Sequence, residues 1–244
     1  NEVTTPTINT FSNGVRALKY VGEGEDEYIG NNAGLAVRDT VLGTSEAAGI
    51  LVCKGGVMQA TANGTTANTV TNADEKFPGT IVFGDASTVT GNKFSTVDMS
   101  ANSIKADTVA LKVEGDARLI NNAAAGTQTL TVKSVDQTGG EFRDQVGTAG
   151  ASSALLNVLG DYNLSGGTYA LQNATIGGKF NMTGGTVADG VNLTSNEYEF
   201  NGGTINAANI TARTGNVVVN NGTIFSPATV TLASATNNQA ININ

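Results

Sequence analysis

The chain has 244 residues, of which 31 are glycine, 28 asparagine and 33 threonine, and only 14% are charged. Histidine and tryptophan are absent and cysteine occurs once, which excludes histidine-built zinc sites, histidine acid–base chemistry and an internal disulfide framework. The formal net charge of −8 leaves no basic cluster to replace the counterions of a phosphate backbone, so no nucleic-acid partner is expected.

This length suits one large all-β domain or two small ones. Apolar residues make up 39% and are spread along the chain, which argues against wholesale disorder. No apolar run is long enough for a membrane-spanning helix, so no membrane insertion is expected. The chain begins at Asn1 without a signal peptide, as a processed product or a trimmed fragment would. The Asn/Thr/Gly bias suits an exposed, extracellular setting on a bacterial surface. Charge is uneven: residues 1–150 hold 17 acids and 11 bases, residues 151–244 only 4 and 2.

Residues 1–75 show no regular register and are expected to form a cap or an irregular β region. Val3-Thr-Thr-Pro-Thr-Ile8 is extended in character, and a short helix is expected near Thr44–Ala48. Glu23, Glu25, Asp26 and Glu27 are the one cluster where calcium would find oxygen ligands. Their spacing matches no known calcium loop, so they read as solvated charge, and no cofactor is expected. Cys53 follows Gly49-Ile-Leu-Val and reads as an inert buried thiol, although Lys54 is adjacent.

Residues 76–160 read as less regular β structure. Gly79–Gly84, Ser95–Met99, Thr108–Val113 and Thr127–Val132 alternate apolar and polar residues as strands do, while 123–128 and 147–153 read as loops.

From 161 to 244 a repeat emerges. Tyr162-Asn-Leu-Ser-Gly-Gly-Thr-Tyr169 returns as Phe180-Asn-Met-Thr-Gly-Gly-Thr-Val187, Tyr198-Glu-Phe-Asn-Gly-Gly-Thr-Ile205 and Val217-Val-Val-Asn-Asn-Gly-Thr-Ile224. The columns Tyr162/Phe180/Tyr198/Val217, Leu164/Met182/Phe200/Val219 and Tyr169/Val187/Ile205/Ile224 are apolar, and Thr168, Thr186, Thr204 and Thr223 form a threonine column. Apolar residues two apart share one face of a strand, and the Gly-Gly or Asn-Gly pairs turn the chain. A second alternating piece follows each corner: Val191/Leu193, Ala208/Ile210 or Val230/Leu232. A period near 18 is too short for paired helices or a propeller blade. It predicts an all-β parallel β-helix, or solenoid, with coils of about 18–20 residues; an antiparallel β-sandwich or jelly roll is the alternative. One such coil cannot bury its own apolar faces, so coils must stack.

The remaining candidate chemistry is sparse. Asp161, Asp189, Glu197 and Glu199, with Lys179 and Arg213, are the charges of the regular half. Glu197 and Glu199 flank Tyr198, which points both outward as a solvated face. The Gly-Gly pairs lack the lysine and hydroxyl of a phosphate loop. Asn-x-Thr/Ser sequons at 63, 163, 173, 181, 192, 209 and 221 follow from the repeat's composition.

Residues 162–232, with their Gly-Gly-Thr corners, two-apart apolar pairs and Asn/Thr exterior, resemble the passenger regions of bacterial autotransporters and related filamentous surface adhesins. That resemblance implies a right-handed parallel β-helix, a cell-surface location and roles in adhesion or self-association. The sequence departs from the family in being short and in lacking the membrane barrel that normally follows.

The expected protein is a non-enzymatic structural or adhesive surface protein whose partners are its own copies, and beyond them host or cell-surface glycans or proteins. The last segment, Gln239-Ala-Ile-Asn-Ile-Asn244, alternates to the final residue. An unpaired strand edge invites another copy, so Ile241, Ile243, Val3 and Ile8 are the candidate assembly residues of a fibre or surface layer. A polysaccharide-binding or -degrading β-helix, such as a tail-spike module, is the alternative function. It requires three or more acidic or aromatic side chains along one groove.

Overall fold

Alternating apolar residues make strands, and every described element of this chain is a strand. The computed structural model describes residues 2–3, 17–21, 35–36, 50–53, 57–61, 70–71, 80–83, 95–98, 103–121, 128–146, 155–234 and 237–244. Ile8, the acidic cluster at 23–27, the helix expected at Thr44–Ala48, Asn63, the loop expected at 147–153 and most of that at 123–128 lie outside them. No helix occurs among the described residues. The strands form one sheet of 14 and one of 10. Pairing is parallel, except where Ala17–Val21 lies antiparallel to Leu35–Ala36 and to Val57–Thr61. This is all-β structure with parallel strands, against the antiparallel sandwich held as the alternative.

Each unit of the repeat half contributes three short stretches. In the strand Asn192–Phe200, residues 192–195 pair with 173–176 on one side and with Asn209–Ala212 on the other. Residues 198–200 pair with 180–182 and with Val217–Val219. In the neighbouring strand Asn173–Met182, a register shift between Ile176 and Lys179 separates the two stretches. Gly177 and Gly178 occupy that bend, where a Cβ would come within 2.3 Å of the Leu159 carbonyl oxygen and 2.1 Å of Asp161 Oδ1, respectively. The third stretch, Gly203–Ile205, lies in the ten-stranded sheet between Thr186–Val187 and Thr223–Phe225.

The columns read from the repeat are register columns of the sheets, and one of them is longer than the repeat. Val3, Leu51, Ile81, Leu111, Val135, Tyr162, Phe180, Tyr198, Val217 and Ile241 are successive partners, all apolar or aromatic. From Ile81 to Val217 they are buried. Within this column Tyr162 stacks on Phe180 with ring centroids 5.2 Å apart, and Tyr169 meets both rings edge-on. Such pairs add about 0.5–1.5 kcal/mol each beyond their buried area.

The parallel column through Val113, Leu164 and Met182 carries one polar residue, Gln137, which is fully buried. Its Nε2 donates to the carbonyl oxygens of Gly140 and Thr168 at 3.2 and 3.0 Å, and its Oε1 accepts from the Tyr162 hydroxyl at 2.5 Å. Burial without these bonds would cost roughly 1–3 kcal/mol per unsatisfied group. In the adjoining stretch Ala208 is only half-buried, and the inward pair is Ile210 and Ala212.

The corners decide how far the register holds. The first glycine of each pair, Gly139, Gly166, Gly184 and Gly202, lies so close to the preceding unit that a Cβ would meet a backbone carbonyl oxygen at 2.6, 2.4, 2.5 and 2.8 Å. The second, Gly140, Gly167, Gly185 and Gly203, has φ between +63° and +85°. Thr168, Thr186 and Thr204 then donate their N–H groups to Gly140, Gly167 and Gly185 of the preceding unit at 2.8–3.0 Å.

At the next corner Asn221 stands where the first glycine would be, and the corner is one residue longer: Tyr198 pairs with Val217, 19 residues on, but Ile205 with Phe225, 20 residues on. Thr223 N–H turns back to Asn220 O of its own corner at 3.3 Å, and the ladder slips by one residue. Thr204 faces Ile224, and Ile205 faces Phe225. The expected columns are thus corrected at their last member. Thr223 leaves the threonine column, Ile224 is 61% exposed, and the Phe225 ring lies 5.5 Å from that of Phe200.

Gly184→Ala forces a Cβ to 2.5 Å from the Ser165 carbonyl oxygen. The expected loss is about 1–3 kcal/mol, seen as a lower urea midpoint. Asn221→Ala, at the corner that has already opened, is expected to change stability by less than about 0.5 kcal/mol.

Candidate functional site at the open edge

Strands of the last repeat unit lie at the end of both sheets among the described residues. Thr223–Phe225 is the terminal strand of the smaller sheet, while Thr229–Leu232 and Ile241–Ile243 end the larger one. Among the described residues the exposed large apolar side chains are Leu159 at 47%, Ile224 at 61%, Ile241 at 43% and Ile243 at 74%, so three of four gather here. Ile224 is exposed by the corner slip, and Ile241 and Ile243 lie in an end strand of the larger sheet among the described residues.

The C-terminal strand is held firmly on its inner side. Val217 N–H donates to Ala240 O at 3.0 Å, and Asn244 N–H to Val219 O at 2.9 Å. Since a strand's backbone groups alternate in direction, Ile241 and Ile243 present their N–H and C=O to the open side. Two amide side chains secure the approach. Gln239 Nε2 donates to Ala212 O and Gly215 O at 3.1 and 2.7 Å, and Ala240 N–H donates to Asn216 Oδ1 at 2.9 Å. Asn244 Nδ2 donates to Asn220 Oδ1 at 2.7 Å, and Asn220 Nδ2 to Asn201 Oδ1 at 2.6 Å, a ladder of carboxamides along the outside.

Val3 belongs to the strand Glu2–Val3, which pairs with 50–51 at the opposite end of the larger sheet. The structure therefore places Val3 and Ile241 at the two ends of one ladder and does not bring them together within a chain. Ile8 lies outside the described residues. Ile224 was assigned to the core by its column. The register slip puts Ile224 opposite the outward Thr204, and Asn221 in place of glycine is the sequence signal that this corner departs from the pattern.

The charged residues of the regular half form structural pairs. Lys179 Nζ lies 3.3 Å from Glu197 Oε1 and 2.8 Å from Glu199 Oε2, and Asp161 Oδ1 accepts the Lys179 backbone N–H at 2.8 Å. The bond to Glu199 raises the lysine's pKa, and the same bond lowers that of Glu199. Glu197 and Glu199 do face outward as expected, but they clamp a lysine of the neighbouring unit. Arg213 donates to Ile176 O at 2.9 Å. The aromatic side chains of the repeat, Tyr162, Tyr169, Phe180, Tyr198 and Phe200, are buried and offer no sugar-stacking platform.

A surface depression of about 300 Å³ is lined by Lys112, Glu114, Asp136, Gln137, Thr138, Asn163 and Ser165, two of them acids and none aromatic. Asp136 Oδ1 accepts from Asn163 Nδ2 there at 2.8 Å. No group of three or more acidic or cysteine side chains among the described residues is placed to hold a metal ion, and no described helix is long and apolar enough to cross a membrane. No protein-family model, curated protein or solved structure matches the chain.

One carboxylate is out of the ordinary. Asp144 is partly buried; its Oδ1 accepts the Gln172 N–H at 2.7 Å, and its Oδ2 is enclosed without a partner. Burial raises its pKa to about 6, against the lowering effect of the Gln172 bond. The folded state therefore holds this proton more tightly than the unfolded chain does. Stability from this group is fully present below about pH 4 and is lost as pH rises to about 6, by about 3 kcal/mol at 1.36 kcal/mol per pKa unit. Asp144→Asn is expected to abolish that decline and to raise the melting temperature at pH 7.5, measured by thermal unfolding across pH 4–8.

Proposed function

We propose that this chain is an extracellular, non-enzymatic structural or adhesive protein of a bacterial surface. On this reading its parallel strands wind as a right-handed β-helix, and copies associate through open β edges into a fibre or surface layer. The observation that carries the reading is the terminal edge, where Ile241 and Ile243 combine exposed apolar side chains with outward backbone donors and acceptors. A strand of this kind is a template for another chain. Successive equivalent strands pair with those one unit before and one unit after, which supports the β-helix. The near absence of charge after residue 150 supports close approach of like surfaces, since little long-range repulsion opposes it.

The test is removal of residues 239–244. The full chain is expected to form concentration-dependent filaments or sheets in electron micrographs and by light scattering, and the truncated chain to remain dispersed. Equal assembly by the two would refute the role of this edge.

A further inference from the structure

We infer that the surface depression formed by Lys112 and Glu114, Asp136 and Thr138, and Asn163 and Ser165 is a binding site for a neutral, polyhydroxylated ligand: a single saccharide residue or the end of a short glycan. This goes beyond the self-association proposed above and does not rest on it. Lys112, Asp136 and Asn163 are successive register partners on parallel strands, and Glu114, Thr138 and Ser165 each stand two residues further along, at the corner. The sheet thus stacks polar side chains in two short columns around a space of about 300 Å³. Lys112, Thr138 and Ser165 are exposed, while Glu114, Asp136 and Asn163 are half-buried. The corner is held rigidly: Thr138 N–H donates to Val113 O and Ser165 N–H to Gln137 O, both at 2.9 Å.

Unspent bonding capacity distinguishes this place. Lys105 pairs with Asp107 at 3.3 Å, and Lys179 with Glu197 and Glu199, so those charges satisfy one another. Lys112 stands opposite Asp136 in register and forms no such pair. Asp136 Oδ1 is taken instead by Asn163 Nδ2 at 2.8 Å, and Asn163 Oδ1 accepts from Asn181 Nδ2 at 3.3 Å. The amide is thereby fixed, and Asp136 Oδ2 is left for a ligand. Among the described residues the side chains of Lys112, Glu114 and Thr138 make no hydrogen bond or ion pair. Together these groups offer ammonium donors, carboxylate acceptors and hydroxyls that do both. A sugar hydroxyl donates and accepts at once, which suits so mixed a set. Other ligands fit it poorly. Two carboxylates repel a phosphate, the ammonium repels a divalent cation, and no apolar or aromatic side chain lines the depression to hold a lipid or a nucleobase. The space is at the lower end of ligand pockets, about 300–1,000 Å³, and suits one sugar residue better than a polymer. Without an aromatic platform the binding is weak, with a Kd of about 1 mM or above.

The test follows the amide NMR spectrum of the isotope-labelled full chain. Glucose, galactose, mannose and N-acetylglucosamine are titrated separately, with inorganic phosphate, calcium and N-acetylneuraminic acid as charged probes. At least one neutral sugar is expected to give saturable shifts centred on the Thr138 and Ser165 amides. Lys112→Gln and Glu114→Gln are each expected to weaken that binding about tenfold or more, as loss of a hydrogen bond to a charged group does. Lys179→Gln, which removes a lysine outside the depression, is expected to leave it unchanged. Circular dichroism checks that the variants keep the fold, as expected for Lys112 and Glu114, whose side chains bond to nothing else among the described residues. The absence of saturable shifts with every neutral sugar, unchanged affinity in both Lys112→Gln and Glu114→Gln, or saturable binding of the charged probes alone would overturn the site. Such a failure would leave the terminal edge untouched, since that edge is tested by assembly of the chain without any sugar.

Discussion

Neighbouring parallel strands of this protein are separated by about 4.8 Å, and among the described residues this distance constrains the corners as well as the strands. Within it the backbone of one unit must pass over the backbone of the last at the corners as well as along the strands. A side chain at the first corner position would have to occupy the place of a carbonyl oxygen, so glycine recurs at 139, 166, 184 and 202. Where the chain offers Asn221 instead, the corner is longer by one residue. The strand beyond is displaced by a residue, and an isoleucine meant for the interior is turned out. One extra corner residue thus turns an apolar side chain outward.

Inside, the same constraint brings like against like. Each inward residue has its equivalents directly above and below, so aromatic rings stack and a polar residue in such a column finds only apolar neighbours. Gln137 survives there because the corner supplies two carbonyl oxygens and Tyr162 supplies a hydroxyl. Tyr169 illustrates the opposite case. Its hydroxyl is buried without a partner, and burial holds the phenol protonated by raising its pKa well above the ordinary value. Outside, stacking equivalent asparagines produces carboxamide ladders in which each side chain donates to the one before, as between Asn244, Asn220 and Asn201.

The regular half was legible because its units have nearly equal length: partners in the long column are 18 residues apart from Tyr162 to Phe180 and from Phe180 to Tyr198, and 19 from Tyr198 to Val217. Upstream the same column continues, but Ile81 and Leu111 are 30 apart, Leu111 and Val135 are 24, and Val135 and Tyr162 are 27. The strands keep their register while the connections vary in length, so no fixed period exists to be read. Gln137 was hidden for that reason, since a polar residue in an apolar column is visible only once the column is aligned. The pairing of Lys179 with Glu197 and Glu199 was equally hidden. It depends on charges brought together across neighbouring strands, and local sequence showed only that both acids face outward. Of the candidate assembly residues, the exposure of Ile241 and Ile243 followed from their place at the end of an alternating strand. Val3 acquires its meaning only from the ladder, which shows that the first and last strands of the chain share one column.

Edges of parallel sheets are hazardous, and proteins commonly blunt them with charge, proline or a covering segment. The strand Ile241–Ile243 carries neither charge nor proline. Its outward groups are unmodified backbone, its side chains are isoleucine and asparagine, and its approach is fixed from behind by Gln239 and Asn216. Fixing the strand from one side removes conformational entropy that a partner would otherwise have to offset on docking. An edge that is apolar, uncharged and already ordered on its inner side differs from a frayed terminus in this respect. Its surface is complementary to another strand at little further cost in chain entropy, and the corner slip adds Ile224 to the same end of the molecule. The longer corner at Asn221 thus places an exposed apolar side chain at the end where the proposed association of copies would occur.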